Sequence, residues 1–535
     1  MTTQPASNSF PLRFLNKRSP EDLAGYVFIS WILILLAVDL LTLRWFPVPW
    51  NDEVMFADPA ASLVFQGHWA SSAWYGRGDL TYWTGNVPGY SFLLVPWMWL
   101  WGVSAPAVRS LNCVLIAITF ICAWFSVKRL NLIPSPKIRL ATLAALSLCY
   151  PVSFCVRVGR PDVLGMLIFS VGAFWWASSK KAVALTGLFC CAMLIPFTGL
   201  HYVFFMPVLL GVLLLASGNA SLLRIFTTIG GGIFGGLLLV AYHQFFAGWD
   251  GLLASMTDVH SRQPAGLWTN FQTLIKEQLL HYYLQRPHFI FLILLTALLG
   301  MAWKHLIGSS RRVWLQALTM LVFPALLVGL GSQFRAPYHW LAVVPAMILL
   351  ASAAAKSWEN LGAKTKLAGG LLVLGLALSG RLIFIGLGGF LGDASYTSQI
   401  NKAAAAWVSP GEIIYGDWQV YYAVKPLAGR IYYEHLVPKL APQEKASIST
   451  AFIHPQGQYE AHDAQWLVDT FGGRWTHVAD LPDPRAKINP LVAKVLDRFN
   501  PECFIGTQLS VYRREKDPSN PETLPISQPP DPKQK

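Results

Sequence analysis

Residues 24–46 (AGYVFISWILILLAVDLLTLRWF) form an apolar run long enough to cross a bilayer as a helix. Similar runs recur through most of the chain, which is 54% hydrophobic and 13% charged. A soluble protein of this size carries about twice that charge, so the chain reads as a polytopic α-helical membrane protein. Residues 1–20 are polar, and no small-residue cleavage site follows the first run. That run is therefore expected to stay in the membrane as an anchor.

Lysine and arginine total 41 against 28 acids, a net charge of +13. No basic helix or zinc-finger spacing accompanies this excess, so nucleic acid is not an expected partner. Much of the excess lies in short loops between apolar runs, as the positive-inside rule requires. The seven cysteines form neither a disulfide framework nor a metal spacing, and all are read as structural.

Eleven spans are expected, near 24–46, 107–127, 139–155, 163–178, 182–197, 201–217, 225–246, 288–307, 313–331, 338–355 and 367–391. Lys17-Arg18, Lys128-Arg129 with Lys137 and Arg139, Lys180-Lys181, Arg224, Lys304 with Arg311-Arg312, and Lys356 with Lys364 and Lys366 then fall on one side. The charge rule makes that side cytoplasmic, with an outer C-terminus. Residues 88–103 (PGYSFLLVPWMWLWGV) test this arrangement, because a crossing there would reverse every later loop. Short, broken by Pro96 and rich in tryptophan, they are placed as a helix lying at the interface.

Four outer pieces follow: the first loop 47–106, the turn Arg157–Asp162, the segment Gln333–His339 and the loop 247–287. From 392 the pattern changes. GEIIYGDW, GRIYYEH, ASISTAFIHP, THVADL and TQLSVYRR alternate apolar and polar residues as half-buried strands do, and 397–407 and 486–499 are helix-like. The expected organisation is a membrane domain over 1–391, a small extracytoplasmic α/β domain over 392–514, and a Pro-rich disordered tail over 515–535.

The first loop opens on an acidic pair, Asp52-Glu53, directly beyond the first span. Ionisable groups beside a membrane are functional candidates when they face protein or a cavity. Asp52-Glu53-Val54-Met55-Phe56-Ala57, Asn86-Val87-Pro88-Gly89, Trp101-Gly102-Val103-Ser104, Arg109 and Arg160-Pro161-Asp162 follow in order. This series resembles the membrane-embedded glycosyltransferases of the GT-C superfamily, with protein O-mannosyltransferases and the lipid A aminoarabinose transferase as the nearest relatives. The resemblance covers residues 24–350 in layout, with its motifs in 50–162. Phenylalanine stands for the family's tyrosine at Phe56, and Asn86-Val87-Pro88-Gly89 lacks a family lysine.

The resemblance implies a bacterial inner-membrane enzyme. Its donor would be a sugar on a polyprenyl phosphate, and transfer would occur on the outer face with inversion. Asp52 occupies the family's catalytic aspartate position. Elementary chemistry agrees: an attacking hydroxyl needs a positioned base, and a departing lipid phosphate needs fixed cations. Asp52 is assigned the base role, and Glu53 would orient the acceptor or a divalent cation. Asp162 is a second carboxylate, pairing with Arg160 or the acceptor.

Arg335 and His339, flanking Pro337-Tyr338, are the first candidates for the phosphate, with Arg160, Tyr338 and Arg109 also expected at the substrate. Arg157, Arg262 and Lys276 are weaker candidates for the phosphate. A metal would be shared by Asp52, Glu53 and Asp162 if the fold brings them together. The bland alternatives are a helix cap for Asp52, a helix start for Asp162, a snorkelling anchor for Arg335 and an interface histidine for His339. His201-Tyr202 is read as packing, and the aromatic 415–433 segment as strand packing, with contact to a sugar as its alternative. A transporter or flippase of a lipid-linked sugar is the main rival class, disfavoured by sparse acids within the spans and no evident repeated halves. A non-catalytic sugar sensor built on the C-terminal domain is the second, and the first-loop acids favour an enzyme over both.

Overall fold

The computed structural model describes residues 19–43, 48–74, 87–217, 221–260, 267–273, 275, 280–331, 335–391, 397–454, 462–483, 489–490 and 508–515. Lys17-Arg18, Arg262, Lys276, Cys503, the helix-like segment 486–499 apart from residues 489–490, and the tail after 515 lie outside these residues, as do Asn86, Gln333 and Phe334.

The membrane region is helical: α1 (Pro20–Thr42), α2 (Asn51–Gln66), α3 (Gly89–Trp101), α4 (Ala105–Arg129), α5 (Pro136–Leu148), α6 (Tyr150–Arg157), α7 (Asp162–Trp176), α8 (Lys181–Leu194) and α9 (Tyr202–Ser217) come first. Then follow α10 (Leu222–His260), α11 (Leu267–Thr273), α12 (Leu280–Gln285), α13 (Pro287–Met301), α14 (Gly308–Gly331), α15 (Trp340–Lys356), α16 (Ala363–Leu378) and α17 (Arg381–Leu391). Among the described residues six helices are long and apolar enough to cross a membrane, α5 and α6 together make a span bent by 48°, and four more apolar helices are shorter. Every expected span falls on one of these helices. Lipid-facing stripes are plain on α16, where Leu367, Leu371, Leu374 and Leu378 are all at least half exposed.

Glu21, at the start of α1, pairs with Lys128 at the end of α4 (3.3 Å) and with Arg139 in α5 (2.7 Å). Lys356 donates to the Ala216 carbonyl (2.9 Å), Arg224 to that of Ser178 (3.0 Å), and Ser352 to that of Leu132 (2.6 Å). Glu21, Lys128 and Arg139 therefore lie at one end of the bundle. The end of α1 meets the start of α4 at the other, through Arg109 and the Leu43 carbonyl (3.4 Å). The segment between them leaves and returns at that opposite end, so α3 does not cross the bundle. It lies against α2, with Ser91 donating to the Phe56 carbonyl (2.7 Å) and Trp99, Leu100 and Trp101 exposed.

The C-terminal region holds a five-stranded sheet of β1 (Ile413–Tyr415), β2 (Arg430–Tyr432), β3 (Thr450–Ile453), β4 (Trp475–Asp480) and β5 (Ser510–Arg514), in the order β2-β1-β3-β5-β4. Each strand falls in one of the five alternating segments. β1 runs parallel to β2 and β3, while β5 is antiparallel to β3 and β4. Helices α18 (Thr397–Ala405), α19 (Tyr421–Val424), α20 (Pro442–Ser447) and α21 (Ala464–Phe471) complete it. The aromatic 415–433 segment is thus a strand only at its ends, and its centre is the short helix α19.

Candidate active site

Helix α2 begins with the acidic pair. Its N-cap is Trp50, without a side-chain bond, so Asp52 lies inside the first turn rather than capping the helix. The turn between α6 and α7 approaches the same point. Asn112 of α4 holds that turn by donating to the carbonyls of Val158 (2.7 Å) and Cys155 (3.0 Å). Gly159 is needed for close approach, because a Cβ there would meet Val108 and lie 2.9 Å from Glu53 Cγ.

Arg160 then reaches two carboxylates: Asp52 through Nη1, and Asp162 through Nε at 2.8 Å. Tyr202 donates to the other oxygen of Asp162 (2.6 Å). The chain Asp52–Arg160–Asp162–Tyr202 therefore joins α2, the turn, α7 and α9. Burial opposes the Arg160 charge, but Asp162 outweighs it and holds the guanidinium above its ordinary pKa. Rings of Trp50, Phe56 and Tyr338 surround it at 5.7–5.8 Å. Asp52 is the outlet of this assembly: its side chain is 27% exposed against 1% for Asp162.

Arg335 is exposed at the rim, and its carbonyl accepts from the Tyr338 amide (2.9 Å). Below Tyr202, whose ring contacts Phe169 and Trp340, lies an apolar cavity of about 90 Å³ lined by both residues and by aliphatic side chains of α4, α5, α7, α9 and α15.

Three sequence expectations change. Glu53 and Arg109 face each other, at 2.8 Å and both within 1% of full burial, instead of facing substrate. His339 is fully buried with its Nδ1 3.1 Å from His288 Nε2, away from a membrane entry. Asp52 and Asp162 share the Arg160 guanidinium, while Glu53 pairs separately with Arg109. Among the described residues no three metal-ligating side chains converge.

Other residues were read too modestly or missed. Tyr202 belongs to the site through Asp162, and the His201 ring lies between Tyr202 (4.1 Å) and Tyr338 (4.6 Å). Tyr422, from the C-terminal region, donates to Glu53 (3.4 Å), and Tyr421 donates to Asp58 of α2 (2.7 Å). Lys425 pairs with Asp58 (2.7 Å) and donates to Ser62 (2.9 Å). No local pattern marks these partners, which lie more than 360 residues apart.

Asp39, inside α1, is fully buried and contacts Arg157 (2.8 Å) and Arg381. Arg157 is therefore a structural cation rather than a phosphate ligand.

No protein-family model matches the chain. No curated protein matches it either. Solved structures do. ArnT from Cupriavidus metallidurans in the apo state superposes with a TM-score of 0.59 at 12% identity, covering 92% of this chain and 98% of that one. The same protein bound to undecaprenyl phosphate gives 0.53 at 12% identity, covering 91% and 98%. The likeness extends over almost the whole length of both chains. The chain therefore has the fold of these structures, the GT-C fold.

Proposed function

We propose that the protein is a membrane glycosyltransferase that moves a sugar from a polyprenyl-phosphate donor to an acceptor hydroxyl, with inversion. The observation that carries this reading is Asp52. It is the open carboxylate of a buried assembly, held in place by Arg160 and, through Arg160, by Asp162 and Tyr202. A general base needs such fixed aim and access to the attacking group.

In the proposed step the acceptor oxygen attacks the anomeric carbon from the face opposite the phosphate. Asp52 takes the hydroxyl proton as the new C–O bond forms. The bond from the anomeric carbon to the phosphate oxygen breaks, and its electron pair leaves with the polyprenyl phosphate. Arg335, exposed at the rim, and the remaining N–H groups of Arg160 are placed to meet that developing charge. The undecaprenyl phosphate bound by the ArnT neighbour supports a polyprenyl carrier. Glu53 and Arg109 serve by fixing α2 against α4.

The test is sugar transfer by membranes supplied with labelled polyprenyl-phosphate sugars, comparing wild type with Asp52→Asn. Loss of transfer in the variant, with donor binding retained, is expected. Full transfer by Asp52→Asn would remove the base assignment. Absence of wild-type transfer across a broad donor and acceptor panel would remove the reaction class.

A further inference from the structure

β1, β2 and β3 are parallel, so their carboxyl ends lie together at one edge of the sheet. In open α/β sheets this edge is where ligands bind. Here it carries Asp417-Trp418 after β1, Tyr433-Glu434-His435 after β2, and His454 after β3.

The rings at this edge are aligned. Trp418 lies 3.9 Å from Tyr433 and 5.6 Å from His435, with interplanar angles of 5° and 4°. Tyr433 and His435 are themselves parallel within 5° at 6.2 Å, so the indole spans both as a half-buried plate. Asp417 fixes that plate. Its Oδ1 accepts the Gln419 amide (2.9 Å), capping the turn that carries Trp418, and its Oδ2 meets His454 Nε2 (2.8 Å). Glu434, which follows Tyr433 in the chain, has a 62% exposed side chain that lies 3.7 Å from His462 Nε2. The Tyr433 hydroxyl is buried and finds no hydrogen-bond partner among the described residues. A flat aromatic face flanked by hydroxyl-binding groups matches a sugar ring, which has apolar C–H faces and an equatorial rim of hydroxyls.

This edge also looks toward the candidate active site. His435 Nε2 lies 3.2 Å from the Trp74 carbonyl, the Trp74 ring packs edge-on to Phe56 (5.4 Å), and Phe56 flanks Arg160 (5.8 Å). The residues just past Trp418 are those that meet Glu53 and Asp58.

We infer that the carboxyl edge of the parallel strands is a carbohydrate subsite, with Trp418 stacking on a sugar ring of an acceptor glycan and Glu434 accepting its hydroxyls. Asp417 and His454 are positioning residues. The inference rests on the glycosyltransferase reading for the word acceptor. The binding site itself does not depend on that reading.

The experiment is binding of the full chain, in lipid nanodiscs, to an array of bacterial-envelope oligosaccharides without any donor. Wild type and Asp52→Asn are expected to bind the same glycans, which separates this site from the base. Trp418→Ala and Glu434→Gln are expected to weaken binding roughly tenfold or more, and Trp418→Phe to restore most of it. Glu434 is exposed, so its variant tests the site without disturbing the core. No binding by wild type to any glycan on the array would overturn the inference. So would glycan binding that Trp418→Ala and Glu434→Gln both leave unchanged.

Discussion

Lys425, just past α19 in the C-terminal region, and Asp58, in the middle of α2, form a buried ion pair at 2.7 Å. Burial alone would raise the Asp58 carboxyl, but the Lys425 charge and the bonds from Lys425, Tyr421 and Ser71 together hold it below its ordinary pKa. Removing the lysine leaves an uncompensated charge in a site closed to water. Lys425→Met is expected to cost about 3–5 kcal/mol, and adding Asp58→Asn to recover part of it. Thermal unfolding of the two variants, with limited proteolysis of the C-terminal region, checks this.

Arg160 reaches Asp52 and Asp162 through different nitrogens of one planar fork. A lysine has one nitrogen and cannot bridge them in the same way. On the proposed mechanism, Arg160→Lys is expected to lower the transfer rate by about 10²-fold while the protein stays folded, because the proposed base, Asp52, loses its aim rather than its charge. Comparing kcat with the thermal midpoint separates the two effects.

Asp39 is the counter-charge for both Arg157 and Arg381, tying α1 to α6 and α17. Its loss would strand two guanidiniums at once. Asp39→Asn is expected to destabilise the bundle by about 3–5 kcal/mol or more, and Asp39→Glu by less. Size-exclusion profiles of the solubilised variants after stepwise heating would show the order.

The Asp417–His454 pair predicts a pH response outside the membrane. Burial pulls His454 down, but the charge and hydrogen bond of Asp417 outweigh it, leaving its pKa above the ordinary 6.5. Burial likewise raises Asp417, and His454 outweighs it, leaving the carboxyl below its ordinary 3.8. The imidazole contribution is complete below 6.5 and fades as pH rises through the raised value. The carboxylate contribution is present above 3.8 and fades only as pH falls through the lowered value. Amide exchange along β3 should therefore be slower near pH 6 than near about pH 8.5, after correction for the intrinsic rate. In His454→Gln that difference should disappear.

The helical bundle was legible because lipid imposes it locally: each span announces itself in its own residues. The basic residues at the end of α4 and the start of α5 do meet Glu21 at the start of α1. The five strands were legible by alternation. Within the site, Asp52, Arg160 and Asp162 could be named from their motifs and the resemblance they carry, and the structure brings these three together. Which carboxylate would face another side chain could not be read, because it depends on who arrives from elsewhere. Glu53 is adjacent to Asp52 yet turns about 100° away around the helix, toward Arg109. His339 looked like a rim residue beside Arg335, but the turn at Ala336–Tyr338 directs it inward to His288. Tyr422 and Lys425 sit in the aromatic 415–433 stretch that reads as strand packing, and only the docking of the C-terminal region onto α2 gives them partners.

That docking makes α2 a lever. Asp52 and Asp58 are six residues apart on one helix, which puts them about 9 Å apart along its axis. If Asp58 acts as the fulcrum, a tilt of about 5° swings Asp52 by roughly 0.8 Å, on the order of the misplacement that costs a reaction about a hundredfold. Whatever shifts the C-terminal region, whether a bound glycan, a neighbouring protein or the thickness of the surrounding bilayer, would thus be felt mechanically at the reacting atoms. A graft of a foreign C-terminal region onto this bundle would have to reproduce the grip on Asp58 and Ser62 to keep the stroke of that lever short.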